Sequence, residues 1–296
     1  MANMSGEIYV VIVNYYSSGL VAQLLESLDL APLAAVMIVD NSDNAGEWGQ
    51  VEATSSRFGV NCIQMPSNLG FGAGVNRGVE ALNPRKGGFV WVLNPDTRVG
   101  PNSAVSLVAA LTENGADVAS PVIITDPDER VWYGGGFLDA RRGRTTHWEI
   151  APEDVTECTF VTGAAMMVRE SAWRRLGGFR EDLFMYWEDA DLCIRANRLG
   201  MTMVVVPSVR IWHAVGATTS DSGKSALYYF YMQRNRIVVL GEHFGLRGLA
   251  SRDALLEALR ISVRTFREES RRSLKFAASA RGVVKGLRLL QTKDIG

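Results

Sequence analysis

Cysteine is scarce in this chain. Cys62, Cys158 and Cys193 stand far apart, with no CxxC pair and no His/Cys cluster. That argues against a structural zinc site and suits a reducing, cytoplasmic compartment. Long hydrophobic runs are absent too. The N-terminal "IYVVIV" has the length of a strand and is too short for a secretory core, and nothing approaches the ~20 apolar residues that span a bilayer. There is no internal repeat and no low-complexity tract. Net charge is nearly absent at −1, but this hides a split: residues 247–296 hold 12 Lys/Arg against 5 Asp/Glu, and residues 1–246 hold 19 against 27. A basic tail on an acidic body points the tail at an anionic partner. With 47% hydrophobic and 21% charged residues in 296, there is ample material for a large core.

The first 120 residues alternate short β-rich runs with helical stretches. Residues 8–14, 35–40, 59–65, 89–94 and 117–123 read as strands, and residues 18–30 carry leucines at helical spacing. Continuous apolar strands separated by helices predict an open, mostly parallel α/β sheet of Rossmann-like type, covered on both faces. From 125 to 157 the pattern breaks, which predicts a β-hairpin or long loop overhanging a site. Residues 158–168 and 201–207 read as further strands, with a helix from about Trp187 to Leu199 between them. From 224 onward the chain reads as helical. The expected division is therefore an α/β domain over 1–223, in halves that meet at about 123/124, followed by a basic helical extension over 224–296.

Open α/β sheets bind ligands outside the carboxyl ends of their strands. Two such ends carry aspartate here: "VMIVDNSD" ends at Asp40, and "VWVLNPDT" leads to Asp96. Asp40 suits a base or ribose. Asp96 suits a divalent cation bridging two phosphates. Either alone also suits a helix or turn cap. "NLGFGAGVNRG" follows a strand and enters a helix, but its third dinucleotide glycine is replaced by Val75. "GKS" at 223–225 is no P-loop, because Thr218 stands where glycine is required.

"FMYWEDADLC" sets three carboxylates after a bulky apolar run. On a helix from Trp187, Asp189 heads a stripe of Leu192, Cys193, Ala196 and Gly200, whereas Asp191 pairs with Arg195 four residues on. Asp189 therefore points inward without a partner on its stripe and should border a polar cavity. Helix-end donors should keep it ionised, as a general base requires. Glu188 is placed to bond a substrate hydroxyl, with helix capping as its alternative. His213, in "IWHAVG", is either structural or a ligand for the cation or a phosphate.

The ordered series "VIVNYYS", "VDNSD", "NLGFGAGVNRG", "LNPDT", "VTGAAMMVRE", "GGFREDLFMYWEDADLCIR" and "WHAVG" resembles the inverting family 2 glycosyltransferases of GT-A fold, from Tyr9 to about Val239. In style it is similar to the rhamnosyltransferase-like members that build cell-surface polysaccharide. The resemblance implies that Asn14 and Tyr15 line the nucleotide pocket, that Asp40 binds the base, and that Asn68, Gly70 and Asn76 support the nucleoside. It implies that Asp96 is the last aspartate of the DXD metal motif, whose first position is Asn94 here, with a divalent cation, Mg or Mn, as cofactor. Gly163 and Ala164 would face the sugar or acceptor, Asp189 would be the catalytic base assisted by Glu188, and His213 would contact metal or diphosphate. "QRNRIV" replaces the QxxRW of processive synthases, which implies transfer of a single sugar, with Arg234 either reaching the diphosphate or, as favoured, on a solvated face. The resemblance also makes 1–223 the catalytic domain, nucleotide-binding to about 123 and acceptor-binding from 124.

The donor expected by resemblance is dTDP-rhamnose, with UDP-hexoses and UDP-galactofuranose as alternatives. The acceptor is a glycan or a lipid-pyrophosphate-linked glycan, not a nucleic acid. The basic C-terminal stretch suits peripheral contact with the inner face of the plasma membrane; packing on the catalytic domain and a homo-oligomer compete with it. Two rival readings are a sugar nucleotidyltransferase, which would want Arg and Lys after strand one where this chain has "NYYSSGL", and a non-catalytic carbohydrate-binding protein.

Overall fold

The computed structural model describes residues 6–125, 128–139, 142–214 and 223–293. Val215 and Gly216 of "WHAVG", Thr218, and parts of the 125–157 excursion lie outside them. In chain order the elements are β1 (Ile8–Asn14), α1 (Ser18–Ser27), β2 (Leu33–Asp40), α2 (Ala45–Phe58), β3 (Asn61–Gln64), α3 (Phe71–Leu82), β4 (Phe89–Leu93), β5 (Thr97–Val99), α4 (Ser103–Glu113), β6 (Val118–Thr125), β7 (Val131–Tyr133), β8 (Gly136–Asp139), β9 (Arg144–His147), β10 (Thr156–Glu157), β11 (Met167–Arg169), α5 (Glu170–Leu176), α6 (Glu188–Arg198), β12 (Met203–His213), α7 (Ala226–Leu249), α8 (Arg252–Arg264) and α9 (Arg272–Lys293). Two compact units form. The first gathers the described residues of Met1–Phe137, His147–Phe184 and Glu188–Val215; the second gathers those of Leu138–Thr146, Met185–Trp187 and Gly216–Gly296.

The first unit is built on a mixed sheet in the order β10-β12-β6-β11-β4-β1-β2-β3, with β5 added to β12 and β7 to β6. The apolar runs explain its centre. Every residue of β1 and β4 is buried, as strands covered on both faces require. β1 pairs in parallel with β2 and β4, in a register that sets Asn14 opposite Asp40, so two polar residues end adjacent strands side by side.

Two expected strands are redrawn. Residues 158–166 are not strand, and only Met167–Arg169 pairs, antiparallel to β4 and β6. The apolar Phe160, Val161 and Ala164 are buried as irregular backbone instead. The strand expected over 201–207 continues to His213, past Pro207, with a register shift against β6 between Val206 and Arg210. Proline cannot donate to a ladder, so the irregularity falls where it must.

The second unit is helical. α7 and α9 run side by side in the same direction, and glycine on α9 allows it: a Cβ on Gly282 would stand 2.3 Å from the Phe230 carbonyl oxygen. Buried polar groups in this unit are tied down. Glu268 receives Lys275 Nζ at 2.9 Å, Tyr229 Oη at 2.6 Å and the Lys224 N–H at 2.9 Å. Arg236 donates to the carbonyl oxygens of Gly143, Arg142 and Ala254 at 2.7–2.8 Å, which clips the β8–β9 turn to the helices. Among the described residues no helix is long and apolar enough to cross a membrane.

Candidate active site

The site lies in the first unit, at the carboxyl ends of β1, β2 and β4. Asn14 is fully buried and donates to Asp40 Oδ1 at 2.9 Å and to Glu47 at 3.1 Å. Its own carbonyl receives the Ser17 N–H and hydroxyl. Asp40 Oδ2 and Asn41 Oδ1, next to each other in the chain, are both buried with no partner. A buried acceptor without a donor costs about 1–3 kcal/mol, and an adjacent pair of them is a place where a ligand could supply N–H groups. Tyr15 stands at the rim, 52% exposed, its ring against that of Tyr16.

The glycine-rich turn connects this end to the acidic helix. Asn41 donates to the Gly70 carbonyl at 2.9 Å, and Asn68 accepts from the Gly70 N–H at 2.9 Å. Gly70 has φ +88, and a Cβ there would lie 2.1 Å from the Phe184 carbonyl oxygen, so only glycine fits. The next residue, Phe71, donates its N–H to that same carbonyl at 2.8 Å. Asn76, expected to support the nucleoside, bonds protein backbone in this structure. Its amide donates to the Phe179 carbonyl and accepts from the Phe179 N–H, at 2.8 and 2.9 Å, which pins the 177–181 turn against α3.

Glu188 and Asp189 open α6, and the helical stripe resolves as its spacing implies. Asp191 is fully buried between Arg195 at 2.8 Å and Arg180 at 3.5 Å, a closed ion-pair cluster with no chemistry to do. Asp189 instead accepts from the Gly163 N–H at 3.2 Å and from its neighbour Ala190 at 2.7 Å. Glu188 is 8% exposed, and its Oε2 has no partner. Burial, with the Asp189 charge adding to it, pushes the Glu188 carboxyl up to about 8. Burial also raises Asp189, against the Gly163 and Ala190 N–H groups that favour its charged form. Burial thus opposes the helix-end donors expected to keep Asp189 ionised, and is the larger of the two effects. Asp189 has two donors and Glu188 Oε2 none, so the geometry favours the charge on Asp189 and the proton on Glu188.

Gly163 and Ala164 link this carboxylate to the other acidic end. Ala164 is buried, and its carbonyl accepts the Asn94 N–H at 2.9 Å. Two residues on, Asp96 Oδ1 lies 3.0 Å from His213 Nε2, at the end of β12 where it pairs with β5. His213 Nδ1 is buried without a partner. No cluster of three or more His, Cys, Asp or Glu exists among the described residues. One carboxylate and one imidazole still fit a hard divalent cation that takes its remaining ligands from water and a diphosphate. The excursion after β6 supplies a wall here. Trp132 packs edge-on against His213 at 5.0 Å and against His147 at 4.9 Å, and His147 stacks on Phe160.

Several contributors were not evident from sequence. Asn41 and Glu47 carry no motif of their own, although Asn41 sits inside "VDNSD". In the second unit, Asn235 is fully buried and donates to the carbonyls of Met185 and Tyr186 at 2.8 and 2.7 Å. Tyr186 and Trp187, with φ of 64 and 74, occupy the left-handed region just before Glu188 in the chain. Side chains with a Cβ stay there only when held. Arg234, expected on a solvated face, bonds Asn235 Oδ1 and stacks over Tyr231.

Residues 89–256 match the family model described as Glycosyl transferase family group 2. The chain is 30% identical over 250 residues to an N-acetylglucosaminyl-diphospho-decaprenol L-rhamnosyltransferase of Mycobacterium tuberculosis, covering 76% of this chain and 81% of that one. It is 24% identical to the rhamnosyltransferase WbbL of Escherichia coli, over 70% of this chain and 83% of the relative. Among solved structures, the mannosyltransferase PcManGT from Pyrobaculum calidifontis, in complex with GDP-Man and Mn2+, matches with a TM-score of 0.58 at 14% identity over 95% of this chain and 87% of that one. GalNAc-T7 with UDP, GalNAc and Mn2+ matches with a TM-score of 0.63 at 16% identity over 81% of this chain, which spans 48% of that protein. The shared architecture is the GT-A fold.

Proposed function

The chain belongs to glycosyltransferase family 2, and we propose that it moves one L-rhamnose from dTDP-rhamnose to a hydroxyl of a lipid-linked or cell-surface glycan, inverting the anomeric carbon. The observation that carries this reading is the pair at the head of α6: a half-buried Asp189 held by the Gly163 N–H beside a buried Glu188 whose Oε2 has no partner. Rhamnose, and a lipid-diphosphate acceptor, are suggested by the names of the relatives.

In this reading the half before about 123 binds the nucleotide. Asp40 Oδ2 and Asn41 Oδ1 accept N–H groups of the base, Tyr15 lies along it, and Asn14 holds Asp40 in place. Asn68 and Gly70 shape the turn beneath the nucleoside. Asp96 and His213 hold the diphosphate end with a divalent cation, Mg or Mn, which when bound would neutralise the charge developing on the leaving group. The later half receives the acceptor along Gly163 and Ala164. Protonated Glu188 donates a hydrogen bond to the acceptor hydroxyl and so orients it. Asp189 takes the hydroxyl proton as the oxygen attacks the anomeric carbon from the face opposite the diphosphate. The new C–O bond forms as the bond to phosphate breaks, and the nucleoside diphosphate leaves with the electron pair. The work is done at the cytoplasmic side of a membrane, one sugar per acceptor.

A panel of nucleotide sugars, scored by thermal stabilisation and by transfer, tests the reading. dTDP-rhamnose should raise the melting midpoint most, in a cation-dependent way, and Asp189→Asn should keep that rise while losing transfer. Pyrophosphate release from a nucleoside triphosphate and a sugar phosphate, or an Asp189→Asn protein that still transfers, would overturn it.

A further inference from the structure

In the second unit α8 turns its apolar side outward. Leu255, Leu256, Leu259 and Val263, with Phe266 in the 3-10 turn that follows, are 45–58% exposed, whereas Ala254 and Thr265 are buried. At about 100° per residue the five exposed side chains fall within one arc of roughly 100°, opposite the side that carries Ala254, Ile261 and Thr265. A surface helix of a globular domain has the reverse orientation. Contiguous apolar surface of this kind marks an interaction site.

The border of the arc is arginine. Arg260, Arg264 and Arg267 join Arg142 and Arg144, from the β8–β9 turn, in lining a groove of about 870 Å³ whose carboxylates are Asp253 and Glu257. Arg144 and Arg260 share Glu257, at 4.0 and 3.5 Å, and Arg142 pairs with Asp139 at 3.6 Å, so the arginines still outnumber the acids. Arg236 sets the turn's two arginines by holding the carbonyls of Arg142 and Gly143. Arginine presents a planar fork that suits phosphate oxygens.

From this juxtaposition we infer that the outward face of α8 is a docking surface for an anionic phospholipid bilayer. The apolar arc enters the acyl boundary, and the arginine groove takes headgroup phosphates. A helix of 13 residues is too short to span and lies in the plane of the interface. The surrounding chain supports the occupant, since residues 247–296 carry 12 basic against 5 acidic side chains. A second copy of this chain fits less well. A two-fold contact through the arc would bring two sets of Arg260, Arg264 and Arg267 into one interface. The inference deepens the lipid-linked acceptor reading and rests on it for its biological sense; the test uses neither donor nor acceptor, so the two fail separately.

The full-length protein is sedimented with vesicles of phosphatidylcholine alone, or of phosphatidylcholine with about one-third phosphatidylglycerol. Binding to the anionic vesicles should exceed binding to the neutral ones at least about ten-fold. The triple variants Leu255→Ser/Leu259→Ser/Phe266→Ser and Arg260→Glu/Arg264→Glu/Arg267→Glu should each lose about ten-fold or more while retaining the wild-type melting midpoint and nucleotide-sugar binding. Hydrogen exchange on the wild-type protein needs no variant: amides of residues 252–267 should gain protection on adding anionic vesicles. Equal binding to both vesicle types, unchanged binding by both triples, or no gain in protection would overturn the inference. So would a lipid-free dimer that the Leu255/Leu259/Phe266 triple dissolves.

Discussion

Glu188 in the first unit and Glu268 in the second are both nearly excluded from solvent, at 8% and 9% exposure, yet their surroundings are opposite. Burial pushes both carboxyls up. At Glu268 the hydrogen bonds from Tyr229, Lys275 and the Lys224 N–H more than offset it, and the group stays below the usual glutamate range. At Glu188 only its own backbone N–H opposes it, Asp189 adds a like charge, and the group rises to about 8. A carboxylate that only holds helices together is saturated with donors. Glu188, which the proposed reaction gives to a substrate hydroxyl, is left short of them, and the fold carries that cost. Asp191, between two arginines and three residues past Glu188, shows that the first unit can saturate an acid where none is needed for chemistry.

The largest effect that sharpens this contrast is Asp189→Asn. It removes the proposed base with minimal change of shape, so transfer should fall by about 10²–10⁴-fold or more while nucleotide-sugar affinity stays within a few-fold. Equal losses in transfer and donor binding would make Asp189 a structural acid like Asp191. Next comes Glu268→Ala, which strands Lys275 in the helical unit and should cost about 3–5 kcal/mol in urea unfolding at neutral pH. Because the folded Glu268 is depressed, its contribution is present above the unfolded glutamate value and disappears as pH falls through the lower, folded one. Wild-type and variant stabilities should therefore converge in acid.

Asn235→Ala sits between these cases. It removes the two donors that hold Met185 and Tyr186, releasing the left-handed backbone that runs into Glu188. A small displacement of a catalytic group costs up to about 10²-fold, so kcat should fall by that order with donor KM unchanged. The acid limb of the pH–rate profile should also move down, as a loosened Asp189 becomes better solvated. A loss of stability with an unmoved profile would make Asn235 merely structural.

Much of this site was legible in the sequence for a physical reason. Runs such as "IYVVIVN" admit one interpretation, and their ends carry Asn14 and Asp40. The helical spacing after Trp187 separates Asp189 from Asp191 without coordinates. Residues 158–166 misled because burial and strand pairing are different properties: the stretch is apolar, but its backbone is used to hold Asp189 and Asn94. Asn235 was illegible because its partners lie about 50 residues away. The periodicity of α8 shows an apolar face, but not that it looks outward.

The smallest effect is the most discriminating. Between the unfolded glutamate value near 4.5 and the folded value of about 8, the native protein retains a proton on Glu188 that the unfolded chain has released. Stability must therefore fall as pH rises through that window. Glu188→Gln mimics the protonated form at every pH, so it should flatten the decline and raise the melting midpoint at pH 8 by roughly 2–4 °C for each kcal/mol recovered. The same substitution should leave the acid limb of transfer nearly in place, because Glu188 is already neutral there, and should erase an alkaline inflection near pH 8. If wild-type and Glu188→Gln proteins lose stability with the same slope between pH 5 and 8, a donor supplied by the solvent already satisfies Glu188, and its contrast with Glu268 disappears.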